Sequence, residues 1–111
     1  MRRLLALLVV TSALSCASGG NNITRLTPEH YAPTVAADVK LYYTNTPSEP
    51  YVEIGRLSVG KQSWMGKNPS QEQLARQIRE LASSIGGDGV VRIEEDLGNM
   101  RGIVIRFRDR H

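Results

Sequence analysis

The stretch 70-SQEQLARQIRELASSIGGDG-89 decides the fold. Leu74, Ile78, Leu81, Ala82 and Ile85 recur at helical spacing, while Gln71, Arg76, Gln77, Arg79, Glu80 and Ser83 fall on the opposite side. One face therefore buries against a sheet and the other meets water. Asn68-Pro69-Ser70 opens the helix, with Ser70 and Gln73 spaced as a capping box. Ser84 lies near its end, and Gly86-Gly87 stops it by taking up a left-handed conformation at no steric cost. The glycines do not make a phosphate cradle, because such a loop precedes a helix and offers free amides. This one follows the helix and meets carbonyl ends, which leaves Asp88 as a turn residue and the apolar stripe as core.

Extended segments flank the helix. From Val35, the alternation of Val39, Leu41 and Tyr43 with Asp38, Lys40 and Tyr42 is that of a strand with one wet face. Thr44 to Pro50 carries turn residues and two prolines, which break it. A second strand starts at Tyr51, where Val52 and Ile54 precede Leu57 and Val59 at a spacing of three. A β-bulge at Gly55-Arg56 would return all four to one face. Val90 to Glu94 and Gly102 to Arg108 read as two more strands joined through Glu95 to Arg101. Val91 and Ile93 are expected on one face, as are Ile103, Ile105 and Phe107, with Arg92, Glu94, Arg106 and Arg108 on a solvated face. The expected fold is α+β, one amphipathic helix on a roughly four-stranded sheet in the order β-β-α-β-β, over residues 35–111.

Gly60 to Asn68 is a polar loop carrying Trp64 and Met65. Two readings are open: the Trp folds over the core edge, or it is an exposed anchor for a partner, a role tryptophan often fills. Arg106 and Arg108, with Arg110, form the one approach to a basic patch and are further candidates for partner contact. His30 has no second imidazole, thiol or carboxylate cluster nearby, and neither it nor His111 has an evident partner for base and nucleophile chemistry. Glu94-Glu95-Asp96 lacks the ligand spacing of a calcium loop. We therefore expect no metal, no cofactor and no catalytic residues.

Ahead of the domain, Met1-Arg2-Arg3 is a basic start, and Leu4 to Ala13 is an apolar run too short to span a bilayer. It reads as a removable signal. Ala13-Leu14-Ser15-Cys16 then resembles the bacterial lipobox, and Cys16 is the only cysteine of the chain. By that resemblance, cleavage falls between Ser15 and Cys16, and the Cys16 sulfur receives a diacylglyceryl group. Several acyl chains, at about 0.8 kcal/mol per buried methylene, make a durable anchor. Ala17 in place of Asp implies sorting to the outer membrane, with the domain facing the periplasm. Residues 1–15 are then signal, and 16–34 a lipidated flexible tether in which Thr27-Pro28 starts one short turn that Pro33 ends.

The charge of +3 belongs to the whole sequence. Without Arg2 and Arg3, Lys plus Arg falls from 14 to 12 against 11 Asp plus Glu, leaving a nearly neutral body. No basic run with interleaved aromatics remains, so nucleic acid is not an expected partner. A body without paired cysteines also has no disulfide framework.

Tyr31-Ala32-Pro33-Thr34, Val39-Lys40-Leu41-Tyr42, Pro50-Tyr51-Val52-Glu53-Ile54-Gly55 and Leu81 to Val91 together resemble the pattern of small bacterial envelope lipoproteins related to the Rcs stress sensor RcsF, and of YbjQ-like domains. The resemblance covers most of the mature body and implies an envelope lipoprotein with an α+β domain. The RcsF sensor carries body cysteines in disulfides; this body has none, and Cys16 is the one residue whose role transfers. The expected function is that of a noncatalytic outer-membrane lipoprotein binding another envelope component as adaptor, stress sensor or structural accessory. The alternative is a small ligand-binding module or enzyme using the 60–68 loop with Asp88.

Overall fold

The computed structural model describes residues 21–60 and 69–110. One helix, α1 (Gln71–Ser84), lies on a five-stranded mixed sheet built from β1 (Asn22–Arg25), β2 (Lys40–Leu41), β3 (Tyr51–Gly60), β4 (Gly89–Asp96) and β5 (Asn99–Phe107). Short 3₁₀ turns occupy Ala36–Asp38 and Arg108–Arg110. The spatial order is β1-β3-β5-β4-β2, antiparallel except for the β2–β4 pair.

The α+β class and the single helix on one sheet face are as expected, but the strand count is five rather than four. The additional strand, β1, falls inside the stretch read as tether. Of its residues only Ile23 is partly buried, so it has no alternation to announce it. Backbone hydrogen bonding to Gly55–Ser58 of β3 holds it instead. The rest of 26–39 is also fastened to the body: Leu26 N–H donates to Ile54 O at 2.9 Å, and Thr34 N–H donates to Ser83 O at 2.9 Å.

Helix α1 begins as its sequence dictates. Ser70 Oγ accepts from Gln73 N at 3.2 Å, and Gln73 Oε1 accepts from Ser70 N at 2.8 Å, so two orphan donors are satisfied reciprocally. Leu74, Ile78, Ala82 and Ile85 then pack with Val39, Ile54, Leu57, Val59, Val90, Ile93 and Val104. Replacing Ser70 by Ala should cost about 1 kcal/mol. A fall in the urea midpoint with an unchanged slope would show this, and no shift would mean the cap is redundant.

The β3 bulge lies where the spacing required it, one residue early: register shifts between Glu53 and Gly55, so Ile54 is the extra residue. Val52, Ile54, Leu57 and Val59 all reach the helix-side core. A second bulge, in β4, was not expected. Between Val91 and Glu94, two residues of β4 oppose one of β5, and Arg92 takes φ 55°. The face assignments of β4 and β5 change accordingly. Val90, Ile93 and Val104 face the helix, whereas Val91, Ile105 and Phe107 form a second buried cluster on the other side, covered by Tyr42, Tyr51 and Ile103. Val91 and Ile93 thus lie on opposite faces, and the Ile103-Ile105-Phe107 stripe turns away from α1. The sheet buries part of both faces, which a single-sided pattern does not describe.

The β4–β5 connection is a two-residue turn, Leu97-Gly98, with both φ positive at 51° and 82°. That is the requirement of a type I′ turn, which favours Asn-Gly and disfavours Leu at its first position. Leu97 is also 94% exposed, so packing does not compensate. Leu97→Asn should therefore raise stability by about 0.5–1 kcal/mol, read as a higher thermal midpoint.

Candidate interaction surfaces

Chemistry-bearing residues are dispersed over this fold. Ser15, Cys16, Trp64, Met65 and His111 lie outside the described residues. Asp88 sits at the α1–β4 junction, where its Oδ2 accepts the Phe107 amide at 2.8 Å and its own amide donates to Ile105 O. It joins a turn to the central strand. His30 is exposed. Glu94 and Glu95 are in register with Arg101 and Met100, on opposite faces of β5, so the acidic run does not converge on one point. Among the described residues, no three His, Cys, Asp or Glu side chains are grouped to hold a metal ion. No described helix is long and apolar enough to cross a membrane.

Arg106 and Arg108 are not brought together. Arg106 is in register with Val52 and so points to the helix side, beyond the end of α1. There Tyr31 covers it: the guanidinium lies 4.1 Å from the ring centroid, and Nη1 donates to Gly86 O at 3.1 Å. A cation thus meets a carbonyl just past the helix C-terminus and an aromatic face together, both favourable placements. Thr34 Oγ1 adds a hydrogen bond to Gly87 O at 2.5 Å, and Arg79 Nε donates to Val39 O at 3.1 Å. Together these contacts bind segment 31–39 across the end of the helix. Arg110 is engaged with Glu49 at 3.2 Å and lies over the Phe107 ring at 4.5 Å. Arg108 is exposed at the end of β5.

A cluster missed by sequence reasoning lies on the sheet face opposite α1. Arg56 of β3, Arg92 and Glu94 of β4 and Arg101 of β5 line an open depression of 370 Å³ floored by Gly102 and Ile103. Arg92 reaches it because its bulged backbone turns it out of the normal alternation. Acidic neighbours offset the charge: Arg92 lies 3.9 Å from Glu53, and Arg101 lies 3.3 Å from Asp96. These exposed pairs contribute at most about 1 kcal/mol each, and less in salt. The depression is therefore a mixed-charge surface, suited to shallow contact with a polar partner rather than to enclosing a small molecule. Its register across three strands, set by the β4 bulge, has no local signal in the sequence.

No protein-family model matches this chain, and comparison with curated proteins finds no match. Among solved structures, the chain is similar to the Francisella virulence factor FvfA in its orthorhombic crystal form. Identity is 18% and the TM-score 0.46, over 80% of this chain and 97% of that one.

Proposed function

We propose that the protein is a noncatalytic lipoprotein of the bacterial envelope, anchored through Cys16, whose domain binds another envelope component as adaptor, stress sensor or structural accessory. The observation that carries the reading is Ala13-Leu14-Ser15-Cys16, which places the chain's only cysteine directly after a basic start and an apolar run. Resemblance to the lipoproteins around RcsF and YbjQ agrees with it, and Ala17 favours the outer membrane with the domain in the periplasm. The open, mixed-charge surface around Arg56, Arg92 and Arg101 supports protein contact over small-molecule chemistry.

Cys16→Ser should abolish palmitate incorporation and remove the protein from the outer-membrane fraction. A wild-type protein that is soluble and carries no lipid would overturn the anchor. Crosslinking in intact envelopes, comparing wild type with Trp64→Ala and Arg56→Glu, tests the binding role and would identify the partner.

A further inference from the structure

We propose that the end of the sheet bearing the β4–β5 turn faces the lipid surface to which Cys16 is attached, with Leu97 as its apolar contact. This rests on the lipoprotein reading above and adds an orientation to it. Strand β1 enters antiparallel to β3, with Asn22 opposite Ser58, and Asn21 Oδ1 accepts the Gly60 amide at 3.2 Å. Gly60 in turn pairs with Asn99, two residues from Leu97. The point where the chain joins the sheet and the tip of the hairpin thus share one end of the molecule. At roughly 4.8 Å per strand spacing they are about 10–15 Å apart across the sheet.

The link to the membrane is short. Only Ala17 to Asn21 separate Cys16 from β1, and five residues span at most about 18 Å when fully extended. A link of that length keeps the tip at high effective concentration beside the bilayer, so a weak contact suffices to orient the domain. Leu97 is suited to make one. It is 94% exposed and holds φ 51°, in a turn that asparagine or glycine would form more comfortably. A large apolar residue held in a costly conformation and left almost wholly exposed points to a contact outside the fold. Beside it, the Asp96–Arg101 pair presents both signs of charge, which suits zwitterionic headgroups.

The test uses the lipidated full chain, purified from envelopes and reconstituted in vesicles of phosphatidylcholine and phosphatidylethanolamine. Lipidation consumes Cys16, so Glu95→Cys, which leaves Leu97 in place two residues away, and Ser48→Cys each offer a single exposed thiol for an environment-sensitive fluorophore. Ser48 precedes Tyr51, which pairs with Phe107 at the far end of the sheet. Nitroxide-labelled lipid should quench the label at 95 several-fold more than the label at 48. In parallel, amides 95–100 of the unlabelled protein should gain protection from hydrogen exchange on reconstitution, and Leu97→Asn, which favours the turn, should lose that gain. Equal quenching at both sites would overturn the orientation, as would protection seen in native envelopes but not in vesicles, which would assign the tip to a protein partner. The mass of the Cys16 peptide separates the two failures: an unlipidated Cys16 removes the anchor and the orientation together, whereas a lipidated chain with equal quenching removes the orientation alone.

Discussion

Phe107→Ala is expected to cost the domain about 3–5 kcal/mol, the loss typical of a buried aromatic truncated to a methyl group. Phe107 is 2% exposed, yet it lies on the sheet face away from α1, with Val91 and Ile105 and beneath Tyr42 and Tyr51. The guanidinium of Arg110 lies over its ring. Removing the ring leaves a cavity on the sheet face beneath Tyr42 and Tyr51, over strands fixed in register, so collapse around it is limited. Were this face merely solvated, the same substitution would change stability by no more than about 0.5 kcal/mol. Urea unfolding followed by far-UV circular dichroism distinguishes the two, and a loss below 1 kcal/mol would mean that the second cluster lies outside the cooperative core.

Gly86→Ala should be comparably damaging, at roughly 3 kcal/mol, from backbone strain and overpacking together. Gly86 has φ 89°, and a Cβ built there would stand 2.5 Å from Tyr31 Cβ and 2.9 Å from the Ala32 carbonyl oxygen. The second neighbour is backbone, which cannot swing aside. Gly98 supplies the control: its φ is 82°, but nothing lies within 4 Å of a Cβ there. Gly98→Ala should cost only the conformational component, about 1 kcal/mol. The difference isolates the packing of segment 31–34 against the helix end. Hydrogen exchange at the Thr34 amide, which donates to Ser83 O, should accelerate in Gly86→Ala well before global unfolding. Equal losses at the two glycines would show that this segment yields freely.

These two positions also mark how far the fold was legible in the sequence. The helix was legible almost to the residue, because period, cap and stop act within one turn of their own positions. The β3 bulge was legible as well, since a spacing of three between Ile54 and Leu57 leaves a strand no other way to keep both inside. The β4 bulge was not. Its left-handed residue is Arg92 rather than glycine, so nothing local marks the break that puts Val91 and Ile93 on opposite faces. β1 was missed for a different reason: an edge strand held by main-chain hydrogen bonds needs no apolar pattern, and Asn22-Ile23-Thr24-Arg25 has none. Arg106 was read as solvated because charged residues on a strand usually are. It is drawn to the helix side by Tyr31 and the Gly86 carbonyl, which lie 75 and 20 residues away in the chain. The arginine-lined depression depends on that same long-range register, and no motif could have announced it.

The strand order β1-β3-β5-β4-β2 also constrains the order of events as the chain folds. The last strand in sequence is the middle one in space, and both of its neighbours, β3 and β4, make most of their ladder bonds to it. β1 must wait for β3, and β2 for β4. A polypeptide emerging head first from a ribosome or a narrow pore therefore cannot close this sheet until Phe107 has appeared. Until then β3 and β4 carry open edges, and the helix has an incomplete surface to pack on. The topology thus makes completion of the sheet wait for the last strand, around which the other four are ordered.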